Sequence, residues 1–296
     1  MKFEKSASLL LFKKNPEAEK LLERIALETP PEWRLLINED CPVPLPDRLV
    51  RSSPEELRES DLLLPLGGDG TVLSAARLAA SNCIPILGIH LGRTGFLTDC
   101  PPEKLQEALL RFSEGKTEMQ ERATLSVKLL RNQKVIQEET ILNEVQINPP
   151  ISSHRFGQLV DLRVALDGHY LTDYHADFLL VTTPTGSTGY NLSAGGPIVH
   201  PESKSIVLQA VNSPALSVRP LVLDDKAHLV ITSNESKDYT VLLDGRITWQ
   251  AESHDQLQVE LSEQTARFVK LDDYTFVDAL REKLGWSGHL QQKRGR

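Results

Sequence analysis

Apolar positions in the first third of the chain fall into short runs, separated by stretches with helical spacing. Ser8 to Phe12, Trp33 to Ile37, Leu62 to Leu66 and Ile84 to Ile89 read as buried strands. Pro16 to Leu27 reads as a helix, with Asn15 as N-cap and Pro16 in the first turn. Ser53-Pro54-Glu55-Glu56 carries the capping-box pattern of a helix start. Thr71 to Ala80 combines helical spacing with strong helix formers, and Pro101-Pro102-Glu103 opens a helix running to about Phe112. Pro42, Pro44 and Pro46 enforce an extended loop. Strands alternating with helices predict an α/β domain with a doubly wound, mostly parallel sheet.

The pattern changes near Glu121. From there to about Leu271 most segments are strand-like: Thr124 to Leu130, Val160 to Leu166, Phe178 to Thr182, Ser205 to Leu208, His228 to Ile231, Val241 to Leu243, Leu257 to Val259 and Phe268 to Leu271. Asp167-Gly168 has the composition of a hairpin turn. Phe276 to Leu284 returns to helical spacing, and the basic tail Gln291 to Arg296 reads as solvated and frayed. The expected organisation is an α/β domain over 1–121 and a β-rich domain over 122–271, followed by a helix and tail over 272–296.

Composition narrows the function without naming it. The 296 residues are 40% hydrophobic and 25% charged, which fits a soluble globular protein of two domains. The formal net charge of −8 disfavours a nucleic-acid partner, which calls for a basic face. No apolar run approaches the ~20 residues that span a bilayer, so no membrane partner is expected. Met1-Lys2-Phe3-Glu4-Lys5 lacks a signal-peptide profile. Cys41, Cys83 and Cys100 have neither close pairing nor metal-ligand spacing, as in a cytoplasmic protein with reduced thiols.

Three stretches could carry chemistry. In Leu62-Leu63-Leu64-Pro65-Leu66-Gly67-Gly68-Asp69-Gly70-Thr71 a strand runs into three glycines surrounding one carboxylate, and a helix follows. Glycines let a polyphosphate approach the backbone, and amides at a helix start favour an anion. Asp69 repels phosphate, so its place there points to a job beside it: taking a proton from an attacking hydroxyl, or holding a metal ion. A tight turn with an N-capping acid is the plainer reading of the same residues. The second stretch, Thr182 to Pro197, packs five hydroxyl side chains and two glycines into Thr182 to Gly189. These groups suit a ribose or phosphate, and Tyr190 adds an aromatic face for an adenine or nicotinamide ring. In the third, Asn143 and Glu144 interrupt the apolar run Ile141 to Ile147, where they could read a base edge or a ribose diol.

Two look-alikes fail. Gly115-Lys116-Thr117 resembles the end of a Walker A loop, but the required glycine is Leu110. Gly68 and Gly70 would need a small residue at position 73 for a dinucleotide fingerprint, and that residue is Leu73.

Taken together, the motifs resemble those of the NAD kinase family. The matching segments are Gly67-Gly68-Asp69-Gly70-Thr71, Ile86 to Asp99, Asn143-Glu144, Thr183 to Tyr190, Ser193 to Pro197, Leu216 to Leu221 and Asp244-Gly245, in family order. The glycine turn also occurs in lipid kinases and phosphofructokinases; the Thr-Pro-Thr-Gly-Ser-Thr stretch sets this family apart. The resemblance implies an α/β domain, a β-rich domain and a C-terminal segment packing back on the first. It implies transfer of the γ-phosphate of ATP to the 2′-hydroxyl of the NAD adenosine ribose, with a divalent metal, Mg²⁺ by preference, and a homo-oligomer, dimer or tetramer. By motif position Asp69 is the catalytic base, and Gly68, Gly70 and Thr71 hold ATP phosphates. Gly70, Phe96, Asn143, Glu144, Asp177, Thr188, Gly189, Tyr190, Ser193 and Asp244 face NAD, and no residue is assigned to the metal. Departures from the family pattern are His90 for asparagine, Gly189 for alanine and Phe178 for the glycine after Asp177. The last bears on how Asp177 faces a ligand.

Overall fold

The structure is a computed structural model that describes residues 4–80, 82–92, 95–98, 100–150, 158–234, 237–271 and 275–286. The tail 291–296 and the motif residues Arg93, Thr94 and Asp99 lie outside the described residues.

The first part holds β1 (Lys5–Leu10), α1 (Pro16–Glu28), β2 (Trp33–Asn38), β3 (Leu49–Ser52), α2 (Pro54–Leu57), β4 (Leu62–Pro65), α3 (Asp69–Ala79) and α4 (Leu105–Ser113). Its strands form a parallel sheet in the order β3-β2-β1-β4. Side chains alternate between its faces. Ala7, Leu9, Leu35, Ile37, Leu62 and Leu64 pack with α1 and α4, whereas Leu10, Leu36 and Leu63 pack with α2 and α3. This two-sided burial explains why the strands read as continuous apolar runs. The predicted caps are present: Asn15 Oδ1 accepts from Glu17 N at 2.9 Å, and Ser53 and Glu56 form a capping box.

Ile84 to Ile89 does not form a regular strand. It lies extended and makes isolated parallel bridges, Leu63↔Ile86 and Leu66↔Ile89 on one side and Ile86↔Phe268 on the other. Pro65 has no N–H to donate to Leu87 O, which leaves a gap between the Leu87 N–Leu63 O and Ile89 N–Pro65 O bonds. The segment nevertheless joins the parallel sheet to the second half of the molecule.

That half contains β5 (Glu118–Arg131), β6 (Lys134–Ile141), β7 (Glu144–Asn148), β8 (Val160–Leu166), β9 (His169–Ala176), β10 (Phe178–Thr182), the single turn α5 (Tyr190–Ser193), β11 (Ile206–Val211), β12 (Leu221–Leu223), β13 (Leu229–Ser233), β14 (Tyr239–Leu243), β15 (Ile247–Ala251) and β16 (Gln256–Lys270). Two antiparallel six-stranded sheets, β12-β11-β10-β7-β14-β15 and β6-β5-β16-β13-β8-β9, share one core of inward residues such as Val127, Val145, Val181, Leu208, Val241 and Val259. The Asp167-Gly168 turn is as expected, with both residues at positive φ, +52° and +78°. α6 (Phe276–Leu284) follows, with a Thr275–Asp278 capping box. Among the described residues no helix is long and apolar enough to cross a membrane.

Candidate active site

The glycine turn sits at the C-terminal end of β4, held from two directions. Leu66 N donates to Leu10 O and Gly67 N to Ile89 O, both at 2.9 Å. Gly67 has φ +153°, and a Cβ there would meet Thr71 Oγ1 at 2.7 Å, so only glycine fits. Gly68 is the N-cap, and α3 begins at Asp69, two residues earlier than the apolar spacing indicates. Thr71 N donates to Gly68 O at 2.8 Å. Closing the first helical turn therefore commits one of the three amides expected to face phosphate, leaving Gly68 and Gly70 at the surface of the turn.

Asp69 does not cap its own helix. Its carboxylate crosses to the 95–98 segment and accepts from Phe96 N at 2.9 Å and Leu97 N at 3.0 Å. A Cβ on Gly95 would lie 1.7 Å from Asp69 Oδ1, so this approach needs a glycine. On the far side of that segment, Lys283 of α6 donates to Gly95 O and stands 4.3 Å from the centre of the Phe96 ring. The C-terminal helix thereby buttresses the segment that holds the Asp69 carboxylate.

Across from this turn, the Asn143–Glu144 pair sits where β7 begins, and Asp244 fixes it. The Asp244 carboxylate accepts from the amides of Leu142, Asn143 and Glu144 at 3.0, 2.8 and 3.0 Å. Burial pushes its pKa up, and the three amides pull against that shift. Glu144 is pushed up to about 8, by burial first and then by the neighbouring Asp244. Asp244, expected beside NAD, thus reaches backbone rather than open space and orients the pair that faces the loop.

The hydroxyl-rich stretch packs directly on that pair. Thr182 Oγ1 donates to Asn143 O at 2.9 Å and Thr183 Oγ1 to Leu142 O at 2.6 Å. Ser187 Oγ donates to Pro184 O at 2.6 Å, and Thr188 Oγ1 to Thr185 O at 3.1 Å. Four of the five hydroxyls expected to meet a ribose or phosphate therefore bond first to backbone carbonyls, because the loop is folded tightly against β7 and needs them. A Cβ on Gly186 would lie 2.3 Å from Thr182 Oγ1 and 2.4 Å from Asn143 O.

Three buried polar atoms here have no hydrogen-bond partner: Asn143 Oδ1, Glu144 Oε2 and Thr185 Oγ1. Each such orphan costs about 1–3 kcal/mol, which a bound molecule with polar edges would relieve. A Cβ placed on Gly189 would stand 3.4 Å from Asn143 Nδ2 and 3.6 Å from Glu144 Oε2, so the pair lies against this end of the loop. A small open cleft lies between Phe96 and the hydroxyl loop. Phe96 lines it from the Asp69 side, Thr185 and Thr188 from the hydroxyl loop, Arg122 and Lys270 from β5 and β16, and Lys283 from α6.

The remaining expected residues stand outside this lining. Asp177 is exposed and accepts from Asn212 Nδ2 at 2.8 Å. Phe178 stacks on Tyr190 with ring centroids 5.4 Å apart and planes at 12°, which leaves Tyr190 43% exposed. Ser193 is exposed at the end of α5. Sequence reasoning misses Arg246, Lys283 and Arg122. Arg246 follows Asp244-Gly245 directly and could have been found there, whereas nothing local marks Lys283 or Arg122.

A carboxylate beside open glycine amides on one lobe, facing unpaired polar atoms on the other, suits a two-lobed nucleotide phosphotransferase. Comparison with known families makes this particular. The ATP-NAD kinase N-terminal domain matches residues 19–117, the ATP-NAD kinase C-terminal domain matches residues 142–271, and the chain belongs to this family. NAD kinase from Geotalea daltonii is 38% identical over 229 residues, 77% of this chain and 79% of that protein. NAD kinase from Thiobacillus denitrificans is 36% identical over 232 residues, 78% and 79%. Among solved structures, yeast NADH kinase complexed with NADH shares the fold with a TM-score of 0.82 at 24% identity, over 98% of this chain and 91% of that one. An NAD kinase from Archaeoglobus fulgidus in complex with ATP aligns with a TM-score of 0.68 at 24% identity, over 90% and 93%.

Proposed function

We propose that the protein transfers the γ-phosphoryl group of ATP to the 2′-hydroxyl of the NAD adenosine ribose, giving NADP and ADP. The bond from the 2′-oxygen to phosphorus forms, the β–γ bridging bond breaks, and Asp69 accepts the hydroxyl proton. The observation that carries this reading is the set of three orphaned polar atoms, Asn143 Oδ1, Glu144 Oε2 and Thr185 Oγ1, beside a cleft that is lined both by Thr185 and by Phe96, whose amide bonds the Asp69 carboxylate. A ribose diol both donates and accepts, and so can partner all three atoms. Asn143 and Glu144 hold the nucleoside, Gly70, Phe96, Thr188 and Gly189 line its site, and the amides of Gly68 and Gly70 steady the donor phosphates. Phosphoryl transfer has a loose transition state, so positioning and charge neutralisation do most of the work.

Mg²⁺ fits as a companion of the donor phosphates, a hard cation that keeps most of its water and takes one or two carboxylates. Among the described residues no three ligating side chains converge, and Asp69 is the carboxylate at the turn that would share the ion. When bound, it neutralises phosphate charge.

The exposed Asp177, Tyr190 and Ser193 reach NAD in a homo-oligomer, dimer or tetramer, whose subunit contact closes that rim. A cytoplasmic location accords with the cysteine pattern. The division at 121/122 and 271/272 belongs to the same proposal; β5 crosses the first of these boundaries and, paired with β16, runs from one lobe into the other.

The test is direct: purified protein, ATP, Mg²⁺ and NAD, with NADP read by a coupled dehydrogenase. Steady NADP formation that depends on both substrates is expected, and ATP-dependent product on other hydroxyl acceptors but not on NAD overturns the reading.

A further inference from the structure

The turn from β14 to β15 is three residues long, 244–246, and it touches both lobes. Leu243 pairs with Ile247 across it, and Arg246 N donates to Leu243 O at 2.9 Å. Asp244 and Gly245 sit at φ +47° and +64°, a left-handed pair that points the flanking side chains in different directions. Asp244 takes the amides of Leu142, Asn143 and Glu144. Arg246 reaches the opposite way: Nη2 donates to Gly70 O and Nη1 to Ser74 Oγ, both at 2.5 Å. Gly70 adjoins Asp69, and Ser74 lies about one helical turn further along α3. A Cβ on Gly70 would stand only 3.1 Å from Arg246 Nη2, so the guanidinium occupies the space a side chain there would fill. Two bonds from one planar fork fix orientation as well as distance, which a single ammonium cannot do.

We propose that Arg246 is a positioning residue for phosphoryl transfer: through the turn it shares with Asp244, it sets the spacing between Asp69 and the Asn143–Glu144 pair. The proposal rests on the kinase reading above. Arg246 acts through the backbone of α3 and touches neither substrate. Its loss lets the first turn of α3 shift relative to the nucleoside, while Asp244 keeps the pair itself in place. Misplacement by about 1 Å can cost ~10²-fold in rate, so the effect belongs in turnover rather than in NAD binding.

The experiment compares Arg246→Met, Arg246→Lys and Ser74→Ala in the full chain, by steady-state kinetics in ATP and NAD, NAD titration calorimetry and thermal melting. For Arg246→Met, kcat is expected to fall about 10- to 100-fold, with the NAD Kd within about twofold and Tm within a few degrees of the unmodified chain. Arg246→Lys recovers part of the loss through one bond to Gly70 O, and Ser74→Ala falls less than Arg246→Met. Unchanged turnover in Arg246→Met overturns the proposal. So does a loss of rate matched by loss of Tm and NAD affinity, which makes the residue a general prop. A raised KM for ATP at constant kcat also overturns it, by making Arg246 a phosphate ligand. An unmodified chain that forms no NADP fails the kinase reading itself and removes the proposal with it, whereas active wild type with active Arg246→Met removes only the positioning role.

Discussion

The glycine turn at Gly67–Gly70 and the hydroxyl loop at Thr182–Gly189 look alike as sequence: small, polar, glycine-rich, each following an apolar strand. The structure uses them in opposite ways. The first leaves Gly68 and Gly70 at the surface and sends a carboxylate across to another segment. The second turns Thr182, Thr183, Ser187 and Thr188 back onto its own backbone and that of β7, and only Thr185 Oγ1 remains buried without a partner. One turn presents chemistry and the other builds a wall. The atoms the wall offers come largely from its neighbours, Asn143 and Glu144. A run of hydroxyls in a sequence is therefore weaker evidence for ligand contact than the few polar atoms left over after the fold has taken what it needs.

This contrast can be broken experimentally, the sharpest cut first. Asp69→Asn removes the proton acceptor but keeps an oxygen for one of the two amides. The kcat is expected to drop ~10²–10⁴-fold with NAD affinity nearly unchanged, measured by initial rates and calorimetry. Retained turnover would deny that the first turn presents a base.

Glu144 probes the electrostatics between the two regions. Its folded pKa of about 8 lies above the ordinary value of 4.5. Between those values the folded chain holds a proton that the unfolded chain has released, so this group stabilises the fold fully below about pH 4.5 and the contribution fades as pH rises through about 8. Urea unfolding at about pH 5 and about pH 9 should show stability falling by on the order of a few kcal/mol. Glu144→Gln should flatten much of that slope; an equal slope in the variant would assign it elsewhere, with Asp244, shifted in the same direction, the first suspect.

Gly186→Ala tests the wall. A methyl against Thr182 Oγ1 and Asn143 O should lower unfolding stability by about 1–3 kcal/mol. The equivalent change at Gly68, where an added Cβ would have nothing within 4 Å, should leave stability nearly unchanged. Similar losses at both positions would erase the distinction drawn between the two loops. Thr185→Val is the finest probe. Removing an orphaned hydroxyl should leave the free protein as stable or slightly more so, by up to about 1 kcal/mol, while weakening NAD binding. A variant that loses stability without losing affinity would return Thr185 to the wall.

Local patterns are legible where one rule dominates. Val160–Leu166, Phe178–Thr182 and Phe276–Leu284 fall where their periodicity puts them. Two-sided burial makes the parallel strands plain as apolar runs. Where pairing overrides composition, sequence reasoning stops short. Leu257 to Val259 and Phe268 to Leu271 read as two strands, yet Leu257 through Lys270 belong to the single β16. It carries its polar middle through a register shift between Leu261 and Thr265 because β5 pairs with it on both sides of that shift. The polar strand β6 and the short β3, β12 and β15, all at sheet edges, fall outside the sequence reading. Of the site, Asp69 is visible as the carboxylate among the glycines after β4, and Asn143 and Glu144 as polar interruptions of an apolar run, but Arg246 and Lys283 are not.

The alternation of strands and helices at the start of the chain, the change to strands after it, and the family motifs follow from the sequence alone, because each is written in neighbouring residues through periodicity, glycine placement and capping. What the tertiary structure decided is which polar groups stay available. Asp244 and Thr183 are committed to backbone amides and carbonyls far away in the chain, while Asn143 Oδ1 and Glu144 Oε2 are left unpaired. Hydrogen-bond satisfaction is settled across the whole fold, between residues as distant as Gly70 and Arg246, and no local stretch of the chain encodes it.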